Sequence, residues 1–124
     1  MRVGIAGLGA IGRSVARKIV SGGLPKVELA GVTSRDAAKA RGFLDEIGSN
    51  APVLSLSDLI AKSDLILECA PAAVMVDIAT PVLSAGKMLM ALSAGQLLKH
   101  PELVALAKEK GGQIIVPTGA LIGF

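Results

Sequence analysis

The stretch GIAGLGAIG, residues 4–12, decides the fold, because three glycines stand where an apolar run gives way to a helical pattern. In the spacing G-x-G-x-x-G after a first strand, Gly7 permits a tight turn and Gly9 lets the backbone approach a pyrophosphate. Gly12 lets the following helix pack closely against the strand. The motif therefore predicts a strand, a glycine loop and a helix that together bind a dinucleotide.

The helix after the loop points its unpaired N–H groups and the positive end of its dipole at the phosphates. We expect contacts from the amides of Ala10 and Ile11, and added positive charge from Arg13. An isolated match of this motif would equally suit a turn with no ligand. Here a second strand follows at βαβ spacing, which favours dinucleotide binding.

Apolar runs of strand length alternate with segments of helical period along the whole chain. This alternation predicts an α/β fold, a doubly wound parallel sheet with helices on both faces. The strands are almost continuously apolar, as expected when both faces of a sheet are buried. About six strands are predicted: Arg2 to Ala6, Val27 to Thr33, Val53 to Leu56, Leu65 to Cys69, Met88 to Leu92 and Gln113 to Val116.

Helices fit between these strands and carry recognisable end signals. They are predicted over Ala10 to Ser21, Arg35 to Ile47, Ala72 to Ser84 and Pro101 to Lys110, with a short turn over Ser57 to Ala61. Ser57 is a candidate N-cap, and Pro81 should kink or shorten its helix. Glycines at 48, 86 and 111 lie where helices should end.

Composition restricts the function classes. The 124 residues suit one domain, 1–124, and no apolar stretch approaches the roughly 18 residues of a membrane span, so we expect a cytoplasmic protein without a membrane partner. One cysteine and one histidine are too few soft ligands for a zinc site, so no metal is expected. With no Trp or Tyr and two Phe, nucleic-acid binding has little support despite the net charge of +3.

The end of the second strand, VTSRD, bears on the choice of dinucleotide. NAD-specific sites place Asp or Glu at this tip, on the adenine-ribose 2′-hydroxyl. Here Thr33 and Ser34 offer hydrogen bonds and Arg35 offers a guanidinium suited to a 2′-phosphate. We therefore expect NADP to be accepted, and Asp36 keeps NAD possible, so the preference between NADP and NAD stays open. The alternative is that Arg35 is a solvated residue opening the next helix.

Other strand ends complete the predicted cleft: ECAP at Glu68 to Pro71, LSAG at Leu92 to Gly95 and PTGA at Pro117 to Ala120. Their small residues let a flat nicotinamide lie against the backbone, so Cys69 and Ala70 are predicted walls of the cofactor site. Glu68 either bonds to backbone groups or meets a ribose. Because His100 lies on a different loop, Cys69 has no base and no catalytic pair is predicted.

Taken together, GLGAIG, ECAP, PVLSAGK, LSAGQL and VPTGALIG resemble the N-terminal cofactor domain of L-aspartate dehydrogenases. GLGAIG alone is common to Rossmann proteins, whereas the order of the later motifs is more specific. The resemblance implies hydride transfer from L-aspartate to NAD(P)⁺, giving iminoaspartate for NAD biosynthesis. It also implies that Ala120 contacts the nicotinamide side of the cofactor.

Two departures from that family affect the expected activity. The family motif continues with a Leu-Asp pair, whereas this chain ends at Phe124. The resemblance places the catalytic histidine in a second domain, and His100 does not replace it. We therefore expect a truncated chain that binds cofactor without turnover. The sheet edge after Val116 should be covered, for example by a second copy in a homodimer.

Two alternative functions stay open. The same first half occurs in other two-domain oxidoreductases that resemble glucose-fructose oxidoreductase or homoserine dehydrogenase, since function resides in the second domain. The chain also suits a module that senses NAD(P) without catalysis.

Overall fold

Five apolar segments form a parallel sheet in the computed structural model, which describes residues 1–92, 94–116 and 121–122. A short antiparallel strand follows at one edge of that sheet. The order across the sheet is second, first, third, fourth, fifth, sixth. In chain order the strands are β1 (Arg2–Ala6), β2 (Glu28–Thr33), β3 (Leu65–Glu68), β4 (Met88–Ala91), β5 (Gln113–Ile115) and β6 (Leu121–Ile122).

The strand order reverses at β1, which pairs with β2 on one side and β3 on the other. Ala6, the last residue of β1, lies opposite Thr33 and Glu68, the last residues of its two neighbours. Gly7 N–H then donates to the Thr33 carbonyl at 3.0 Å. The carboxyl ends of three strands therefore meet at the position where open α/β sheets bind ligands.

Helices cover both faces of the sheet. Their bounds are α1 (Ala10–Val20), α2 (Ala37–Glu46), α3 (Leu56–Lys62), α4 (Met75–Ser84), α5 (Ala94–Leu97) and α6 (Pro101–Lys110), with a 3-10 turn at Ala72–Val74. The four predicted helices agree with α1, α2, α4 and α6 to within three residues, and the predicted turn over Ser57 to Ala61 lies within α3. Glycines 48, 86 and 111 follow helix ends as expected. Pro81 lies inside α4, which still reaches Ser84, and the short α5 was not predicted.

Two hydrophobic cores result, one on each face. Along β3, Leu65 and Leu67 pack into the core shared with α1 and α2, whereas Ile66 packs into the core shared with α3, α4 and α6. Successive side chains of a strand point to opposite faces, so an uninterrupted apolar strand fills both cores. This explains why the predicted strands are so continuously hydrophobic.

The predicted strand Val53 to Leu56 is wrong. Only Val53 pairs with the sheet, as an isolated bridge to Val32, because the Pro52 carbonyl and the Leu54 amide flank that one residue. Ser55 then caps α3, its hydroxyl accepting from the Asp58 amide at 3.2 Å. The cap therefore lies at Ser55 and not at the predicted Ser57, and the parallel part of the sheet has five strands.

The sheet edge beyond β5 is paired within the chain. Ile114 and Ile115 of β5 lie opposite Ile122 and Leu121 of β6. The edge after Val116 is thus covered as expected, but by β6 of the same chain, and this pairing removes the reason for placing a second copy there. None of the helices in the described part of the chain has the length and apolar character that crossing a bilayer would need.

Candidate cofactor site

A cavity of about 770 Å³ opens above the carboxyl ends of β1, β2 and β3. Its volume lies within the range of about 300–1,000 Å³ that is usual for small-molecule sites. Four parts of the chain form its walls: the glycine loop, the tip of β2, the start of α3, and the segment that runs from the end of β3 into α4. Its lining residues are Ala6, Gly7, Leu8, Gly9, Thr33, Ser34, Arg35, Leu56, Cys69, Ala70, Pro71, Val74, Asp77 and Ile78.

Two glycines of the loop are required by the fold itself. Gly7 has a φ of +99°, a conformation that favours glycine, and a Cβ there would lie 3.0 Å from the Ala70 amide nitrogen. A Cβ on Gly12 would lie 2.5 Å from the Gly7 carbonyl oxygen, closer than real Cβ contacts allow. Both positions would be glycine whether or not a ligand binds.

Gly9 is different, because nothing in the protein excludes a side chain there. Its φ of −74° and ψ of −171° suit any residue. A Cβ on Gly9 would meet only the Cys69 carbonyl oxygen, at an ordinary 3.8 Å. Gly9 is also exposed and lines the cavity. The missing side chain leaves room on the ligand side of the loop, which is what close approach of a pyrophosphate requires.

Helix α1 begins with free amide donors. Its first internal hydrogen bond runs from the Arg13 amide to the Gly9 carbonyl at 3.0 Å, so the N–H groups of Ala10, Ile11 and Gly12 have no partner within the helix. No side chain caps this end, and its first turn holds no acid. Such a helix start attracts an anion. The Arg13 side chain stays beside the loop, with Nε donating to the Leu8 carbonyl at 3.1 Å.

The tip of β2 places Thr33, Ser34 and Arg35 on the cavity wall. Asp36, the acid that keeps NAD binding possible, follows this tip in the chain. It is the N-cap of α2, and its carboxylate accepts from the Lys39 amide at 3.0 Å. One carboxylate oxygen of Asp36 is therefore already hydrogen-bonded to the start of α2.

A second, smaller cavity of about 100 Å³ adjoins the β2 tip. It shares Leu8 and Ser34 with the larger cavity. Among the described residues, its walls carry two cationic side chains and no acid. The Phe43 ring forms another wall, and the Arg17 guanidinium lies 5.2 Å from the centre of that ring. The lining residues are Leu8, Arg13, Ser34, Lys39, Ala40 and Phe43.

Cys69 lines the cavity, and its thiol is protonated at neutral pH. Burial, followed by the neighbouring Glu68 charge, raises the pKa of the thiol from its ordinary 9.0 to about 12. A thiol nucleophile needs the opposite shift, toward thiolate at neutral pH. The interpretation of Cys69 as a wall residue without nucleophilic function therefore agrees with its surroundings. Glu68 itself is fully buried at the end of β3.

His100 lies away from the cavity, at the N-cap of α6. Its Nδ1 lies 2.9 Å from the Glu102 carboxylate on the same helix. The hydrogen bond from the Glu102 backbone, together with the one from His100, lowers the pKa of that carboxyl. His100 therefore lies at a helix start, on a different loop from Cys69 as expected, and its side chain makes no cap hydrogen bond.

The larger cavity brings six of the predicted cofactor residues together: Gly7, Gly9, Ser34, Arg35, Cys69 and Ala70. Ala10 and Ile11 lie exposed at the adjoining start of α1, and Gly12 is buried beneath the loop. Ala120 lies outside the described residues. Sequence reasoning missed the α3 and α4 side of the cavity, namely Leu56, Val74, Asp77 and Ile78. The position of α4 directly after β3 was the signal that pointed to it.

The family described as "homoserine dehydrogenase, NAD binding domain" matches residues 7–117. L-aspartate dehydrogenase 3 of Bordetella bronchiseptica is 42% identical over 122 residues, which are 98% of this chain and 45% of that protein. L-aspartate dehydrogenase of Bradyrhizobium diazoefficiens is 42% identical over 124 residues, all of this chain and 44% of that protein. The chain thus spans less than half the length of these curated relatives.

Solved structures share the fold. Biliverdin reductase from Synechocystis sp. PCC 6803, determined in complex with biliverdin and NADP⁺, superposes with a TM-score of 0.74 at 29% sequence identity. The match covers 93% of this chain and 37% of that one. The predicted fold is confirmed, with five parallel strands in place of six.

Proposed function

Because the chain belongs to the family of homoserine dehydrogenase NAD-binding domains, we propose that it is the cofactor half of an oxidoreductase acting on L-aspartate. The family takes NAD or NADP as cofactor. One observation carries the choice of substrate: the 42% identity with L-aspartate dehydrogenases extends over nearly the whole chain. The proposed reaction converts L-aspartate and NAD(P)⁺ to iminoaspartate, NAD(P)H and a proton, and iminoaspartate feeds NAD biosynthesis.

The residues present fit such a cofactor. Gly9 leaves the ligand side of the loop open, and the amides of Ala10 and Ile11 are available to a pyrophosphate. Small residues at the end of β3, Cys69 and Ala70, form a flat wall on the other side of β1. When bound, the nicotinamide supplies the hydride acceptor for oxidation of the amino acid to an imine. The chain's own part is to bind and orient it.

We further propose that NADP is preferred over NAD. Ser34 and Arg35 line the main cavity at the β2 tip, and the small cavity beside them adds Arg13 and Lys39. The acid nearest to this tip in sequence, Asp36, already bonds to the Lys39 amide. Three cations, beside an acid that already accepts one hydrogen bond from the helix, suit a 2′-phosphate, which a guanidinium binds through two hydrogen bonds.

The wider setting follows from the same site. A cavity of this size suits a small-molecule substrate and cofactor rather than a nucleic acid or a membrane surface. We place the protein in the cytoplasm, where dinucleotide cofactors and amino acids are available. Whether it works as a monomer or a homodimer is measured by light scattering on the purified protein.

Turnover tests the substrate proposal. The complete gene product is incubated with L-aspartate or L-homoserine and either cofactor, and formation of reduced nicotinamide is followed by its absorbance. We expect signal with L-aspartate only. Signal with L-homoserine only would assign the substrate named in the family description. Tight cofactor binding with no turnover of either amino acid would point to the sensing module.

Calorimetric titration of the chain tests the cofactor preference. Arg35→Ala and Lys39→Met should each weaken NADP⁺ binding about 10-fold and NAD⁺ binding less than about twofold, because each removes one cation from the phosphate. Lys108→Met, on the exposed face of α6, is the matched control and should change neither affinity. Equal losses for both cofactors would overturn the proposed preference.

A further inference from the structure

Asp77 is the acidic residue of the large cavity that neither the predicted site nor the proposed reaction uses. It lies in the first turn of α4, exposed, and lines the cavity. Among the described residues that form this cavity, it is the one acid and Arg35 is the one base. Within the described part of the chain, its carboxylate takes part in no hydrogen bond or ion pair.

The surroundings of Asp77 are apolar. Leu56 at the start of α3 and Val74 and Ile78 beside Asp77 form this end of the cavity. Leu56 and Val74 are half-buried and rest on the hydrophobic core beneath. A slot with apolar walls and one carboxylate suits a flat heterocycle that carries an amino group, since carboxylate oxygens accept hydrogen bonds from N–H donors.

The order of the binding elements along the cavity indicates which part of a dinucleotide reaches this slot. The glycine loop takes the pyrophosphate, and the β2 tip takes the adenine ribose. The adenine base extends beyond that ribose. The start of α3 lies beside the carboxyl end of β2, because Val53 bridges to Val32 and the Leu54 amide donates to the Val32 carbonyl. Helix α3 also contacts α4, so the slot formed by Leu56, Val74, Asp77 and Ile78 lies next to the β2 tip in the same cavity.

We infer that Asp77 is a specificity residue that accepts a hydrogen bond from the exocyclic amino group of adenine. This inference rests on the proposed binding of NAD(P). The carboxylate selects adenine over hypoxanthine, the base in which a carbonyl oxygen replaces the amino group. That oxygen turns an attraction into a repulsion between two acceptors, and a site built around a hydrogen bond rejects the analogue that lacks the donor.

Asp77 has a second effect that any test must separate from base recognition. An acid in the first turn of a helix stabilises that helix through its dipole. That effect changes the stability of the fold but does not distinguish two bases. Asp77→Asn is the informative variant, because a carboxamide keeps the shape of the side chain and can donate to the hypoxanthine oxygen as well as accept from adenine.

The experiment is calorimetric titration of the chain with NADP⁺ and with nicotinamide hypoxanthine dinucleotide phosphate. We expect the chain to bind NADP⁺ about 10-fold or more tightly than the analogue, as for loss of a hydrogen bond to a charged group. Asp77→Asn should reduce that ratio to within about twofold. Asp58→Asn is the matched control, an exposed acid in the first turn of α3 outside the cavity, and should keep the full ratio.

The outcomes separate the inference from the proposal beneath it. If neither dinucleotide binds, the proposed function fails and the inference fails with it. If NADP⁺ binds but the analogue binds equally well, or if Asp77→Asn keeps the wild-type ratio, the cofactor proposal stands and the role of Asp77 is overturned. Circular dichroism melting of each variant shows that the folded protein was titrated.

Discussion

At the scale of single residues, the glycine loop divides into two parts with different physical causes. Gly7 and Gly12 are required by a positive φ and by a close backbone contact, respectively. Gly9 satisfies neither condition and still carries no side chain. The sequence motif treats the three positions alike, and only the geometry separates the glycine that serves a ligand from the two that serve the fold.

Substitution of these glycines tests that division. Gly9→Ala should weaken NADP⁺ binding at least about 10-fold while costing no more than about 1 kcal/mol of unfolding free energy, since only its N-cap preference is lost. Gly12→Ala should lower both the affinity for NADP⁺ and the unfolding free energy, the latter by about 1–3 kcal/mol because of overpacking against Gly7. Titration calorimetry and urea unfolding measure the two quantities.

Gly42→Ala is the matched control. It lies inside α2 with open space where its Cβ would project, so alanine should stabilise the helix by about 0.5–1 kcal/mol and leave NADP⁺ binding unchanged. A Gly9→Ala variant that binds like the wild type would show that the loop only shapes a turn.

Cys69 predicts a pH dependence of stability. Its pKa is raised to about 12 in the fold, above its ordinary 9.0, so the unfolded chain loses this proton first as the pH rises. The stability contributed by the protonated thiol is complete below about pH 9 and is lost between about pH 9 and 12. The slope cannot exceed about 1.4 kcal/mol per pH unit, because the folded and unfolded states differ by at most one proton at this thiol.

Urea unfolding of the wild type and of Cys69→Ala from about pH 8 to about pH 10 measures this loss. The difference in unfolding free energy between the two proteins should shift against the wild type above about pH 9, while lysine ionisation affects both alike. If the difference in unfolding free energy did not change with pH, burial would not be what raises the pKa of the thiol.

At the scale of helices and strands, the sequence predicted elements well where one pattern dominated. Four continuous apolar runs and the end run Gln113 to Val116 became strands, because both faces of each are buried. The run Val53 to Leu56 looked similar but lies at the edge of β2 and is ended by the Ser55 cap. An apolar run becomes a strand of this sheet when both of its faces are buried, and the local sequence does not reveal whether they are.

The N-cap of α2 should stabilise the fold whether or not a ligand is bound. The Asp36 carboxylate accepts from the Lys39 amide at 3.0 Å and so satisfies one free donor at the start of α2. Asp36→Ala should lower the unfolding free energy by about 1 kcal/mol, whereas Asp36→Asn should preserve it because the amide oxygen also accepts.

Chemical unfolding with both variants measures this effect. If Asp36→Asn is destabilised as strongly as Asp36→Ala, the negative charge of Asp36 at the helix start, and not its hydrogen bond, carries the stabilisation.

At the scale of the whole molecule, strand order is what the sequence could not supply. Pairing of β1 with both β2 and β3 brings Thr33, Ala6 and Glu68 side by side, although they are far apart in the chain. The same topology brings Asp77 of α4 into one cavity with Ser34 of the β2 tip. Motifs located the glycine loop and the β2 tip, whereas the α4 wall depended on long-range packing.

The central claim is that a dinucleotide pyrophosphate binds at the glycine loop and the start of α1. Amide NMR spectra of the isotope-labelled chain, titrated with NADP⁺, test this claim directly. The largest shift changes should fall on the amides of Ala10, Ile11 and Gly12, whose N–H groups have no partner within the helix, and on that of Gly9 beside them. Saturable shifts centred on any other part of the chain, or none at all, would contradict it.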